Sequence, residues 1–245
     1  MKGAAAATST RQATVAATPI LLAWSGGKDS TLALAALRAD DRWNVVGLLT
    51  TVTAAYDRVS MHGIRRAILR AQATALSLPC FEATLGPHAS NETYEHTWAD
   101  ALTRARDALG AVDHIAYGDL FLEDVRAYRE AQAARAGYQP VFPLWGRDTA
   151  QTARDFIAAV YEAYLCCVDT EQLDASFAGR RYDSALLADL PSGVDPCGER
   201  GEFHTCVVGG PTFAGPLRLR LGERVRRDGR FEYCDLVPED EADAR

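Results

Sequence analysis

Six consecutive residues, Ser25-Gly26-Gly27-Lys28-Asp29-Ser30, have a composition suited to holding phosphate. Adjacent glycines let backbone N–H groups approach an anion closely, and a helix start adds free N–H donors and the positive end of its dipole. Lys28 contributes a charge, and Ser25 and Ser30 contribute hydroxyl donors. A Walker A loop would place Gly at Leu22 and Ser or Thr at Asp29, and G-x-G-x-x-G is absent, which disfavours a nicotinamide dinucleotide. The plain alternative is a Gly-rich strand–helix turn without a ligand. Asp29 cannot attract phosphate by charge; as a carboxylate it holds Mg²⁺ or caps the helix start.

A second cluster is Gly198-Glu199-Arg200-Gly201-Glu202-Phe203-His204-Thr205. With a strand over 202–208, Glu202 and His204 share one face and Phe203 and Thr205 the other. Such carboxylates can bind ammonium and take its proton, with His204 assisting, or bind a cationic substrate group. Glu199, Glu202 and His204 could also hold a metal, although their spacing matches no specific metal motif. A solvated surface loop is the bland reading. His62 follows a loop over 53–60 that could close on a nucleotide. Of the six cysteines, Cys80, Cys166, Cys167 and Cys234 lie in apolar runs and read as core thiols. Cys197, in a Gly/Pro loop, is the one whose reactivity merits testing, with a structural role expected.

The elements that must position these residues follow from periodicity. Apolar runs predict strands over 19–24, 44–50, 79–85, 114–117 and 139–144. Helical patterns cover 30–39, 65–76, 91–109, the segment through Ala136, and 149–160. This alternation predicts an α/β fold with a doubly wound parallel sheet, whose ligands bind beyond the carboxyl ends of the strands. The loops beginning at Ser25, Thr51, Gly118 and Trp145 are therefore the suspects. Past Val160 the alternation weakens, and 217–237 reads as paired strands around the turn dipeptide Asp228-Gly229. The expected organisation is a tail over 1–18, a nucleotide domain over 19–160, a smaller α+β substrate subdomain over 161–237, and an acidic tail over 238–245.

Composition narrows the partners. The chain has 245 residues, 48% of them apolar, and a net charge of −7, which argues against a dedicated nucleic-acid binder. The cysteines form no disulfide framework and no C-x-x-C, so reduced thiols in the cytoplasm are the default. No apolar run is long enough for a membrane span.

The loop Ser25–Ser30 resembles the S-G-G-x-D-S PP-loop of the ATP pyrophosphatase superfamily. Four further segments follow in order: Met61-His62-Gly63, Gly118-Asp119-Leu120-Phe121-Leu122-Glu123-Asp124, Pro143-Leu144-Trp145-Gly146-Arg147-Asp148-Thr149, and Asp195-Pro196-Cys197-Gly198-Glu199-Arg200-Gly201-Glu202-Phe203-His204-Thr205. Over roughly residues 19–215 the series resembles the diphthine–ammonia ligase branch. Arg200 stands where that branch more usually has Asn.

The resemblance implies ATP with Mg²⁺, adenylation of a carboxylate with release of pyrophosphate, and displacement of AMP by ammonia. By motif, Ser25, Gly26, Gly27, Asp29 and Ser30 would hold the phosphates, with Lys28 at the variable position. Thr50, His62, Gly118 and Asp119 would flank the nucleotide, and Asp29 would be the metal ligand. Lys28, Asp29, Glu199, Glu202 and His204 form the candidate catalytic set. The expected partners are ammonia or an amine and a free or protein-borne carboxylate, with a second copy of the chain a candidate. The competing readings are a PP-loop enzyme acting on tRNA and an ATP- or AMP-binding protein without turnover.

Overall fold

The computed structural model describes residues 16–239. The first apolar run forms β1 (Thr18–Ala23), whose Ile20, Leu21 and Leu22 are fully buried. It is followed by α1 (Lys28–Arg38), β2 (Trp43–Thr53), the two-residue β3 (Arg58–Val59), α2 (Arg66–Leu76) and β4 (Cys80–Leu85). Next come α3 (Asn91–Leu109), β5 (His114–Ala116), α4 (Glu123–Arg135), β6 (Gln139–Val141) and α5 (Thr149–Ala158). Strand β1 pairs in parallel with β2 on one side and β5 on the other; β4 extends the sheet beyond β2 and β6 beyond β5. Only β3 runs antiparallel, against the last two residues of β2. The chain therefore reverses its direction of winding at β1, and the loops after β1 and β5 leave neighbouring strand ends. That crevice is where an open α/β sheet binds its ligand.

Local chemistry accounts for several element ends. The Ser90 side chain accepts from the Thr93 N–H at 3.2 Å and opens α3, while Asp148 accepts from the Gln151 N–H at 2.7 Å and opens α5. Helix α2 stops at Ser77, whose φ of 57° is left-handed. Strand β6 is shorter than its apolar run, ending at Val141 rather than near Leu144. Pro143 supplies no ladder donor and the chain turns there, so Leu144 is buried from a turn instead of a strand.

The pattern after Val160 hides a strand, β7 (Glu162–Asp169), and a short helix α6 (Ser184–Asp189) precedes β8 (Phe203–Gly209). The expected hairpin is present as β9 (Leu219–Arg227) and β10 (Phe231–Pro238), with Asp228 and Gly229 both at positive φ and the Arg230 N–H donating to the Arg227 carbonyl at 3.0 Å. These strands form a four-stranded antiparallel sheet in the order β8-β7-β10-β9. One apolar cluster runs without a break from Leu22 and Trp24 to Phe203, Cys206 and Leu236, so the two sheets share a core. A second cluster packs α3 on the other face of the parallel sheet through Trp98, Ala101 and Leu102.

Thr18 opens β1 and Pro238 closes β10. The rest of the two expected tails lies almost wholly outside the described residues. Cys80 is half-buried and the other five cysteines are buried, all unbridged. Among the described residues no helix is long and apolar enough to cross a membrane.

Val160, just past α5, combines a φ of 61° with 75% exposure. A β-branched residue in the left-handed region carries strain of roughly 1–2 kcal/mol, and so exposed a side chain returns little burial. Val160→Gly is expected to stabilise the fold by up to about 1 kcal/mol after glycine's entropy cost, read as a raised denaturant midpoint.

Candidate active site

The loop Ser25–Ser30 is held from two sides. Gly26 has a φ of 80°, and a Cβ there would sit 2.7 Å from Gln72 Oε1, so no side chain fits. Gln72, on α2, is completely buried. Its Nε2 donates to the carbonyls of Gly26 at 3.0 Å and Val207 at 2.7 Å, and its Oε1 accepts from Trp24 Nε1 at 3.1 Å. The Val207 N–H, on β8, donates to the same Gly26 carbonyl at 2.9 Å. One amide thus ties the end of β1, the loop and β8 together.

Helix α1 begins at Lys28, two residues earlier than its sequence pattern suggests. Gly27 is its N-cap and has no side chain to offer, but Thr205 Oγ1 on β8 accepts the Lys28 N–H at 3.0 Å. The cap is supplied across 177 residues. Among the described residues the next two N–H groups, of Asp29 and Ser30, donate to no protein acceptor. Those donors, at the positive end of the helix, are what an anion requires. Ser30 Oγ donates to the Gly27 carbonyl at 2.9 Å and lies 3.3 Å from Ser25 Oγ, which accepts from the Gly27 N–H at 3.3 Å, so both hydroxyls line the loop and Ser25 keeps the freer proton.

Lys28 is buried and bound within the fold. Its Nζ donates to both Asp29 oxygens at 2.8 Å and to the Cys197 carbonyl, with the Tyr182 and Phe203 rings within 6 Å. Burial pulls its pKa down, but Asp29 beside it, aided by Glu199, raises the net value and keeps it charged. Glu199 Oε1 accepts from the N–H groups of Leu120 at 2.7 Å and Phe121 at 3.3 Å. Burial, with the charges of Asp29 and Asp119, pushes the Glu199 carboxyl up to about 7. Asp119 is raised as well, by burial first and against the charge of Arg129, whose Nε lies 3.9 Å from an Oδ2 that accepts no hydrogen bond among the described residues. Gly118 packs on α1 so closely that a Cβ would meet the Asp29 backbone at 2.9 Å. At the end of β2 the buried Thr50 hydroxyl is likewise unpartnered among the described residues. The expected Ser25–Ser30, Thr50, Gly118, Asp119 and Glu199 therefore surround the ends of β1, β2 and β5, with orphaned polar atoms that a polar ligand would satisfy.

His62 and His204 stack, their ring centroids 4.4 Å apart, and His62 Nε2 lies 3.3 Å from where a Gly27 Cβ would be. Burial lowers both imidazoles, His62 well below its ordinary value and His204 to about 4, with Lys28 adding to each. Both are neutral at pH 7.

Glu202 does not share this face. It precedes β8, is 1% exposed and turns back into its own loop. Its two oxygens accept from the N–H groups of Asp195 at 2.8 Å and Arg200 at 3.0 Å. Asp195 also shapes that loop, accepting from the Cys197 N–H at 2.9 Å and from Thr149 Oγ1 at 2.7 Å. With Glu202 turned away and His204 against His62, the triad Glu199, Glu202 and His204 does not converge. Among the described residues no group of three His, Cys, Asp or Glu could hold a metal. Mg²⁺ bound through phosphate oxygens needs only one or two carboxylates, and Asp29 and Asp119, close enough for Asp29 to raise Asp119, fit that smaller demand. The Cys197 thiol is pushed by burial to about 12, which leaves it un-ionised and structural.

The sequence offered no signal for Gln72, a lone amide in a helix, and Thr205 was visible only as the last residue of a motif. Their roles come from contacts across the fold.

The two glutamates are expected to respond differently to amidation. Both N–H groups on Glu199 reach one oxygen, which Gln supplies equally without a charge to bury, so Glu199→Gln should leave stability unchanged near pH 4 and raise it at pH 7. Glu202 uses both oxygens, and Glu202→Gln should cost about 1–3 kcal/mol in denaturant unfolding, because one buried N–H loses its acceptor. The pH dependence has a defined sign. The unfolded chain protonates His204 near 6.5 and the folded one only near 4, so its contribution is present above about 6.5 and lost as pH falls toward about 4. Glu199 acts oppositely: its folded form retains a proton to about 7, and its contribution declines as pH rises from about 4.5. Unfolding titrations of His204→Gln and Glu199→Gln should each remove one of these slopes.

Comparison with known proteins agrees with this geometry. The family model of the diphthamide synthase N-terminal domain matches residues 19–140, and that of the diphthamide synthase C-terminal domain matches residues 148–236. The diphthine–ammonia ligase of Rattus norvegicus is 26% identical, with 82% of each chain covered. The first match contains the loop Ser25–Ser30 and Gln72, and the second contains Glu199, Glu202, His204 and Thr205. With both domain models matched in order and covering most of its length, the chain belongs to the diphthamide synthase family.

Proposed function

We propose that this protein is an ATP-dependent ligase that adenylates a carboxylate and then amidates it with ammonia. The carrying observation is the pair of open N–H groups of Asp29 and Ser30 on a backbone fixed by Gln72 and Thr205, beside Glu199 with its carboxyl held near 7. The family and the relative named diphthine–ammonia ligase support the same reading.

In this mechanism the loop Ser25, Gly26, Gly27, Asp29 and Ser30 receives the β- and γ-phosphates, chiefly through the open N–H groups of Asp29 and Ser30, and the dipole of α1 and the charge of Lys28 offset part of their charge. The acid's carboxylate oxygen attacks the α-phosphorus, the bond to the bridging oxygen breaks, and pyrophosphate leaves. Ammonia then attacks the acyl carbon, AMP departs with the electron pair of the C–O bond, and Glu199 takes the proton shed by nitrogen. A carboxyl poised near 7 is suited to that exchange. The neutral His62 and His204 keep positive charge away from an incoming ammonium and offer it acceptor nitrogens. Mg²⁺, held by Asp29 and Asp119 with the phosphates, would supply further charge stabilisation.

With ATP, Mg²⁺, ammonium chloride and a panel of carboxylic acids, the expected products are equal amounts of AMP and pyrophosphate. ADP and phosphate would overturn cleavage between the α- and β-phosphates. Ser25→Ala removes the loop hydroxyl whose proton goes to no backbone carbonyl and which a charged phosphate would take, worth about 1.5–3 kcal/mol, so ATP affinity measured by calorimetry should fall tenfold or more. Unchanged affinity would overturn the cradle.

A further inference from the structure

A cavity of about 750 Å³ opens next to the cradle. Thr51, Thr53 and Leu85, at the ends of β2 and β4, form one wall, and Val225, Arg227 and Tyr233 of the β9–β10 hairpin form the other. The segment 56–63 closes it on the third side. Met61 and Gly63 line the cavity, whereas His62 between them reaches toward Gly27, so one thin loop separates this space from the phosphate site.

Three features make it a built site. Its walls are tied together: Arg58 donates to Asp235 at 2.8 Å and Arg65 to the same carboxylate at 2.7 Å, joining the loop to β10. Large exposed apolar side chains concentrate on it. Of the five large exposed apolar side chains among the described residues, Tyr56, Met61 and Val225 line it, whereas Val160 and Leu221 do not. It also holds a cation that the fold does not neutralise. Arg58 is paired with Asp235 and Arg226 with Glu232, but Arg227 makes no ion pair among the described residues and lies 5.2 Å over the Tyr56 ring. The charged lining balances, with Arg58, Arg226 and Arg227 against Glu223, Asp228 and Asp235, so the cavity as a whole does not select a polyanion. Its volume falls within the roughly 300–1,000 Å³ of pockets that enclose organic ligands larger than a simple acid such as acetate.

We propose that this cavity takes the body of the acyl substrate, an acid with an apolar or aromatic middle and a second anionic group, which Arg227 on Tyr56 receives. The reacting carboxylate then passes the 60–63 loop toward Gly27, while the apolar middle lies against Tyr56, Met61 and Val225. The assignment rests on the ligase reading above, since that reading is what makes the occupant an acyl donor. It locates selectivity for the acid in the loop and hairpin, apart from the residues that hold ATP.

The test uses the full chain with dansyl-L-glutamate, an aromatic diacid whose fluorescence rises on burial. Arg227→Glu reverses the charge, and Val225→Trp fills the space; both positions are exposed, and thermal unfolding verifies that each variant is folded. Saturable binding to the wild type is expected, weakened tenfold or more by each substitution, with ATP affinity by calorimetry unchanged in both. Probe affinity unmoved by either substitution overturns the assignment. Loss of ATP affinity in step with the probe also overturns it, because the cavity would then belong to the nucleotide. Probe binding with these sensitivities in a wild type that never binds ATP overturns the ligase reading alone and leaves an acid site without an adenylation step.

Discussion

The site depends on the backbone at Gly26 and Gly27 being immobilised without any side chain of its own. A loop that presents N–H groups to an anion must leave those donors unpaired, and an unpaired backbone in a tight turn does not hold its shape unaided. Beyond the bonds Ser25, Ser30 and Thr31 make to Gly27, the restraint comes from outside the loop. Gln72 grips the Gly26 carbonyl from α2, Val207 grips it from β8, and Thr205 caps the first N–H of α1. None of these bonds uses the N–H of Asp29 or Ser30, so those two donors remain open.

That arrangement makes the second sheet part of the candidate site. Strand β8 supplies Thr205 and Val207 to the loop and His204 to the imidazole pair, and the 195–202 loop supplies the Cys197 carbonyl to Lys28 and Glu199 to the Leu120 and Phe121 N–H groups. Buried charge is distributed so that each member has a partner or a reason to be neutral. Lys28 stays charged between Asp29 and Glu199, Glu199 sits near its neutral form, and the two histidines give up their protons. Isolated charges at such depth would each cost several kcal/mol, which the mutual placement avoids. A site of this kind exists only once both sheets have packed on their common core.

The division of labour follows from the same geometry. The crevice at the ends of β1 and β5 is rigid and polar, built from strands and a helix start. The neighbouring cavity is bounded by a loop and a hairpin, fastened by the Arg58–Asp235 and Arg65–Asp235 pairs. In the proposed reaction, adenylation would use the first kind of setting, and choice among acids the second.

The amino-acid sequence alone determined the alternating strands and helices, the Gly-rich turn between β1 and α1 and the hairpin at Asp228-Gly229, because these are written in local periodicity and turn chemistry. It also brought forward Glu199 and His204, whose motif lies far from the loop along the chain. It could not decide that Glu202, three residues from Glu199, turns inward to two backbone N–H groups, since strand alternation says nothing about a residue placed just before the strand begins. Strand β7 escaped notice because a strand buried on both faces lacks alternation. Gln72 and the cap by Thr205 were equally hidden: a hydrogen bond across 177 residues leaves no local trace in either partner. Tertiary structure decided which polar groups are consumed by the fold and which remain for a ligand, because that accounting closes only when every backbone and side-chain donor has its final neighbours.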